Sequence, residues 1–415
     1  MTVQAGAPRI LPGNGSLTEV PPTAGACWLR PSGWPDAAGF LFRPRPPDTS
    51  ISPVVVTRYS DILSMMLDPA GIWRREIPLS IVPAEERHCV VDASWLLDGE
   101  QHTRLRHAIR GVNRGSSPAA RRFTRDLTRL LTARLMQEQP PWNLARVIDE
   151  VSIRIIVEHT LQAPSLLPHT ARIRELTRTR APHRTDDGTD VLAYFQTLRQ
   201  PEYEDILATV ADRPGDLPAG GLARHLASLA ETGAMTRREL VSQLGMLIIS
   251  YESQAAVVSS LTGMLLEYGY FEQARRSAGD PGAMRRLVSE GGRRGLSFPF
   301  NILTPAVPVT MSGRSLPAGK PVAISYAAAN MDPDRFGPGA AGFDPCASRP
   351  PHLAFGEGIH RCQGEQGAGQ LTEDVLLALF ATLPPGVQLG HGGQVLREVA
   401  SLSWAIATLP VVPPQ

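Results

Sequence analysis

The chain has 415 residues, with 41 Lys+Arg against 40 Asp+Glu and a formal net charge of +1, which excludes a general electrostatic attraction to nucleic acid or to an anionic membrane. Its length suffices for a large core and, by length alone, for two or three domains. The four cysteines (Cys27, Cys89, Cys346, Cys362) are too scattered for a zinc site or a disulfide framework. No apolar run approaches the roughly 18–20 residues of a membrane span, and the N-terminus lacks a signal-peptide pattern, so the cytoplasm is the expected location.

In chain order, the first 50 residues are rich in Pro and Gly and should be extended or loosely ordered, packed on or leading into a fold that occupies residues 51–415. Val54-Val55-Val56 has strand character, and Tyr59 to Leu67 reads as a short helix. Residues 78–97 are irregular and mixed in polarity. Helical segments follow at Gln101 to Arg110, Ser117 to Gln137 and Trp142 to Leu161, with a polar loop at residues 181–189. A long helix is expected from about Thr236 to Tyr268, opened by the capping box Thr236-Arg237-Arg238-Glu239. Its middle is apolar on nearly every face, which places it in the core. A helix over Pro281 to Arg294 precedes short strands around Val307–Met311 and Val322–Ser325, with the turn Leu316-Pro317-Ala318-Gly319 between them. No internal repeat is visible.

The chemistry gathers near the C-terminus, in Phe355-Gly356-Glu357-Gly358-Ile359-His360-Arg361-Cys362-Gln363-Gly364, shortly before an apolar, helix-like run from Val375 to Phe380. A lone cysteine is usually a small buried hydrophobe, but three glycines and a histidine at fixed offsets are harder to explain that way. A cysteine at a helix start faces the positive end of the helix dipole, which favours the thiolate. A thiolate is an electron-releasing ligand for haem iron and favours O–O cleavage. Glycines let backbone approach a flat macrocycle where a Cβ would clash. The stretch resembles the signature of the cytochrome P-450 family of haem-thiolate monooxygenases, Phe-Gly-x-Gly-x-His-x-Cys-x-Gly, at all six fixed positions. The resemblance covers roughly residues 50–405. It implies a mainly α single domain with a small β region, haem b as cofactor, Cys362 as the metal ligand, and Phe355, Gly356, His360 and Gly364 in the cofactor-binding loop.

Three further constellations extend the resemblance. His102 and Arg106 lie at i and i+4 on one helix face. Alone they read as a solvated basic face, whereas the family's His-x-x-x-Arg pair holds the haem propionates, with His360 as a third contact. Glu290-Gly291-Gly292-Arg293 resembles the family's Glu-x-x-Arg, a buried fold-stabilising pair. The Arg that normally completes it, just before Phe343-Asp344-Pro345, is Gly342 here. In the long helix, relatives read Ala-Gly-x-Glu-Thr-Thr where this chain has Ile249-Ser250-Tyr251-Glu252-Ser253-Gln254. The resemblance implies that Glu252 and Ser253 relay protons for O–O heterolysis. By itself, a mid-helix Glu-Ser is more often a solvated step or a local backbone bond. Ile249 should crowd the oxygen side of the haem, while Ser250 either holds water or bonds to the preceding turn. Two departures remain: a propionate-binding Arg about 14 residues before the Pro-Ala-Gly turn is replaced by Leu303-Thr304, and Gln363 to Gly369 replaces a usual Leu-Ala-Arg.

Substrate selectivity is expected from residues 78–97, 175–195, Met246 to Ser253, Ser297 to Thr304, and Ser401-Leu402. Trp95, Leu96, Phe298, Phe300, Ile302 and Leu402 offer apolar surface and Asn301 a polar contact, which fits a medium-sized, partly aromatic or polycyclic substrate. Each could equally be core packing. Electrons should come from a ferredoxin or flavodoxin touching Arg104, Arg361 and the Arg121-Arg122 pair, although exposed arginines are usually just solvated. The resulting expectation is a monomeric, NAD(P)H-driven monooxygenase that hydroxylates or epoxidises a natural-product intermediate, with neither nucleic acid nor membrane as partner. The rivals are oxidative coupling, ring formation or rearrangement without oxygen insertion, and a binding module that has lost turnover.

Overall fold

The computed structural model describes residues 9–11, 18–19, 54–75, 89–110, 116–178, 200–298, 300–311, 314–320, 322–390, 395–399 and 403–414. The polar loop expected at residues 181–189, most of the irregular segment before residue 89, and Ser401-Leu402 lie outside them.

Two short strands, β1 (Arg9–Leu11) and β2 (Thr18–Glu19), come from the first 50 residues, and β1 pairs in parallel with β3 (Val54–Val56). Helix α1 (Tyr59–Leu67) and strand β4 (Trp73–Arg74) follow, then α2 (Gly99–Ala108) and α3 (Pro118–Leu135). The helix expected to start at Trp142 starts later, because Trp142-Asn143 forms a strand, β5, and the Asn143 side chain accepts from the Ala145 amide to cap α4 (Leu144–Ile155). The α4 ladder then widens into an i→i+5 turn over Ile156–Leu161. Helices α5 (Thr170–Arg178), α6 (Pro201–Asp212) and α7 (Leu222–Glu231) lead to α8 (Arg237–Glu267). Both bonds of the α8 capping box form: Thr236 Oγ1 accepts from Glu239 N, and Glu239 Oε2 accepts from Thr236 N. Then come α9 (Phe271–Arg276) and α10 (Pro281–Arg294), whose first turn carries Pro281 and the capping carboxylate of Asp280.

The C-terminal third holds most of the strands. Strands β6 (Phe300–Pro305), β7 (Val309–Met311), β8 (Arg314–Leu316) and β9 (Val322–Ser325) precede short helices α11 (Tyr326–Ala329) and α12 (Pro333–Phe336). Helix α13 (Glu365–Thr382) follows the cysteine loop, and β10 (Gln388–Leu389), β11 (Val395–Val399), β12 (Ser403–Thr408) and β13 (Pro410–Val412) close the chain. Six strands form one mixed sheet in the order β2-β1-β3-β9-β6-β4. The sequence pattern missed β6, although it joins β9 to β4.

Among the described residues, two of three apolar clusters meet along α8. One packs its C-terminal half on α4, α10 and α13, and a second packs its N-terminal half on α2, the end of α4, α5 and α6. The third joins the sheet to α1. By length and composition α8 could cross a membrane, contrary to the expectation from apolar runs, but 67% of its apolar window is buried within the protein. It is the central core helix.

The Glu290–Arg293 pair is fully buried. Arg293 Nε and Nη2 each donate to Glu290 at 2.7 Å, and its remaining donors reach the carbonyls of Asn330, Ala340 and Gly342. Gly342 has no side chain to donate, and the donor that this segment gives to Glu290 is the Asp344 amide at 3.1 Å. The adjacent glycines fit tight surroundings: a Cβ on Gly291 would stand 2.5 Å from Leu261 Cδ2, and one on Gly292 3.1 Å from His352 Nε2.

Candidate active site

The cysteine loop folds back on α1. Gly356 and Gly358 both have φ +68, and a Cβ on Gly358 would overlap the Met66 carbonyl oxygen. The positive φ at both positions bears out the tight turn expected of these glycines, and packing behind the loop adds a second requirement for glycine at 358. The Cys362 amide donates to the Phe355 carbonyl at 2.8 Å and closes the loop. Gly364 differs: an added Cβ would lie 3.8 Å from Cys362 Sγ in ordinary contact, so no protein atom compels glycine there.

Cys362 is a free thiol on the wall of a cavity of about 1510 Å³. Its exposed surface faces this cavity while protein packs densely around it. That burial pushes the thiol above its ordinary pKa, against the Gly364 amide, which favours the thiolate. Burial therefore outweighs the dipole argument in the protein alone. Iron coordination reverses the direction, because a metal-bound thiol is deprotonated outright.

A cationic corner stands beside the thiol. Arg106 lines the cavity and donates to the Arg361 carbonyl at 2.7 Å. His360 also lines it, with Nε2 2.7 Å from Asp98 Oδ1. His102 stacks behind His360 with ring centroids 4.4 Å apart. Burial lowers the pKa of His102, and it lowers that of His360 to about 4 although Asp98 opposes it, so both rings are neutral near pH 7. Among the described residues, His102 Nε2 and His360 Nδ1 are buried without a hydrogen-bond partner. Buried nitrogens of this kind call for a ligand or water. A free thiol, orphaned imidazole nitrogens beside guanidinium groups, and a cavity larger than the 300–1,000 Å³ typical of small-ligand sites fit a flat macrocycle bearing two carboxylates.

Across the cavity stands α8. Ile249, Ser250 and Ser253 line it. The Ser250 hydroxyl donates to the Leu247 carbonyl at 2.6 Å, which selects the bond to the preceding turn from the two alternatives read from sequence. Glu252 departs from expectation. It is buried but absent from the cavity wall, and its carboxylate accepts from Tyr251 Oη at 3.4 Å, while that hydroxyl lies 2.7 Å from Thr177 Oγ1. Gln254 does line the cavity, with Oε1 buried and without a hydrogen-bond partner among the described residues. The sequence reading passed over it because an amide has no place in the expected acid–alcohol pattern.

Trp95, Leu96, Phe298, Asn301 and Ile302 also line the cavity, and the Trp95 and Phe298 rings meet edge-on at 6.4 Å. Asn301 Nδ2 donates to Tyr326 Oη at 3.3 Å. Phe300 contributes its backbone to β6, its side chain lies outside the described residues, and so does Leu402. Leu303 is buried in the sheet cluster. The arginines expected to meet a redox protein have internal partners. Arg104 pairs with Glu239, Arg121 with Asp374 and Glu373, and Arg361 with Glu357 and Glu365, whereas Arg122 is exposed.

No protein-family model matches the chain. Among known proteins it is 28% identical over 337 residues to biflaviolin synthase of Streptomyces coelicolor, covering 80% of this chain and 79% of that one. It is 26% identical over 361 residues to the mycinamicin IV hydroxylase/epoxidase of Micromonospora griseorubida, covering 83% and 85%. The mycinamicin VIII C21 methyl hydroxylase from the same organism, solved with mycinamicin VIII bound, superposes with a TM-score of 0.73 at 22% identity over 93% of this chain and 97% of that one. A cysteine loop facing α8 across one large cavity, a shared fold along almost the whole chain and relatives of this kind lead to one assignment: the chain belongs to the cytochrome P-450 superfamily, bacterial in type, whose members are oxidoreductases with haem b as cofactor.

Proposed function

We propose that the chain is a monooxygenase of bacterial secondary metabolism that hydroxylates or epoxidises a medium-sized, partly aromatic intermediate. In the hydroxylation, O2, two electrons and two protons convert a substrate C–H bond to C–OH and water. The free Cys362 thiol on the cavity wall opposite α8 carries the reading. Bound haem supplies the redox chemistry that splits dioxygen. The protein's own residues do the rest. Cys362 would ligate the iron, while Arg106 and the His102 imidazole would answer the propionates, and His360, whose Nε2–H is used by Asp98, would join them by taking a second proton at Nδ1. Trp95, Leu96, Phe298 and Ile302 exclude water and hold an apolar ring system, and Asn301 orients a polar group. Ser253, on the cavity wall, holds the proton to be delivered. Glu252 recharges Ser253 only after turning away from Tyr251, since it starts off the wall.

Electrons come from a ferredoxin or flavodoxin in the cytoplasm, with the chain acting as a monomer. The internal pairing of Arg104, Arg121 and Arg361 argues for docking with a weak dependence on salt. The test has two parts. Reduced holoprotein under carbon monoxide should give the absorption band of thiolate-ligated haem, and Cys362→Ser should lose it. Turnover of a substrate found by a spectral binding screen of aromatic and polycyclic metabolites, run under isotopically labelled O2, should place label in the product. An unlabelled, coupled or rearranged product would refute oxygen insertion.

A further inference from the structure

The sequence leaves a gap in the cationic corner, since Leu303-Thr304 stands where relatives carry an arginine, and Leu303 turns into the sheet core. The structure brings another arginine to the same place. Strand β4 pairs antiparallel with β6 through Trp73↔Pro305 and Arg74↔Thr304. Continuing that register sets Arg75 abreast of Leu303. Arg75 lines the cavity together with Arg106, His360 and Cys362.

Asp98 fixes this arrangement from behind. It stands at the N-terminus of α2 yet does not cap the helix. One of its carboxylate oxygens accepts from the Arg75 backbone amide at 2.7 Å, and the other meets His360 Nε2 at 2.7 Å. One acid thus locks both the strand end bearing Arg75 and the ring of His360. Among the described residues, the Arg75 guanidinium makes one hydrogen bond, to the Trp95 carbonyl at 3.3 Å, which leaves most of a five-donor fork for a ligand. Arg75 and Arg106 bring two guanidinium groups to this corner, and Asp98 brings one carboxylate. The corner therefore holds unspent positive charge on the wall of a cavity, as a dicarboxylate ligand requires.

We propose that Arg75 is a cofactor-positioning residue that binds a haem propionate, so that β4 supplies the cation missing from the neighbouring strand β6. The inference rests on the haem reading of the cavity, and its test separates the two. Wild-type holoprotein, Arg75→Ala, Arg75→Lys and the exposed same-strand control Arg74→Ala are mixed with excess apomyoglobin, and haem loss is followed by absorbance. Arg75→Ala should release haem about tenfold faster than wild type, the loss expected for one charge-assisted hydrogen bond. Arg75→Lys should stay within about threefold, because it keeps the charge but not the fork. Arg74→Ala should match wild type. The midpoint potential should also fall in Arg75→Ala, since a positive charge near the iron favours the reduced state. The melting point of the haem-free protein should not move. Wild-type haem loss in Arg75→Ala, or equal acceleration in Arg74→Ala, would overturn the inference. A wild-type protein that takes up no haem would instead refute the haem reading.

Discussion

Arg293→Ala offers the sharpest test of what holds the fold behind the cysteine loop. All five N–H donors of Arg293 are used: two on Glu290 and one each on the carbonyls of Asn330, Ala340 and Gly342. Truncation leaves the Glu290 carboxylate, 1% exposed, with only the Asp344 amide for company, and it orphans three carbonyls. Removing one partner of a buried ion pair costs about 3–5 kcal/mol, and each unsatisfied buried polar group adds about 1–3 kcal/mol before relaxation and water entry. A loss of at least about 4 kcal/mol is expected, a large share of the ~5–15 kcal/mol by which proteins are stable. The assay is urea denaturation of holoprotein, with recovery of soluble protein as a second readout. The double variant Glu290→Leu/Arg293→Met should be less damaged than Arg293→Ala, since no unpaired charge remains inside. An Arg293→Ala loss under about 1 kcal/mol, or a double variant worse than the single, would refute the reasoning.

Other perturbations follow from the same contacts. Gly291→Ala should destabilise by about 1–3 kcal/mol, because its Cβ meets Leu261 at 2.5 Å, whereas Gly367→Ala, with nothing within 4 Å, should stabilise α13 by about 0.5–1 kcal/mol in thermal melts. Gly358→Ala combines a left-handed backbone with a clash against α1, so it should lower the yield of haem-loaded protein at least several-fold, measured by absorbance per mole of purified chain. Burial lowers the His352 pKa from 6.5 to about 4. Its contribution is therefore complete above about pH 6.5 and is lost as the pH falls toward 4, where the unfolded chain binds a proton that the folded one refuses. Stability measured at pH 7 and pH 4.5 should differ by up to about 3 kcal/mol from this ring, and His352→Gln should remove that share of the difference.

Local chemistry was legible where it is written in consecutive residues. The capping box at Thr236, the Pro281 start of α10 and the spacing around Cys362 each specify a local geometry, and each element begins where its residues direct. The apolar run at Val375 to Phe380 marks α13, and the helix expected to begin at Gln363, just after the cysteine, begins at Glu365. What stayed illegible depends on partners distant in the chain. Trp142-Asn143 reads as helix until β13 arrives to pair with it. Glu252 has the right neighbours for a proton relay, yet Tyr251, read only as filler, hydrogen-bonds to it away from the cavity. Arg75 carries no motif at all, and only the register of β4 against β6 reveals its neighbours.

The Arg293 site also bears on how this chain can change over time. Three of its acceptors are main-chain carbonyls, which every amino acid possesses, so a substitution at the exposed Gly342 leaves the acceptor in place, whereas the buried Asn330 also bonds through its side chain to Arg293 O and Leu353 N. An insertion or deletion between those positions moves the carbonyls and destroys the site. Tolerance should therefore be high for point mutation at 342 and low for changes of length, and a search keyed to side chains would overlook a support that the backbone provides.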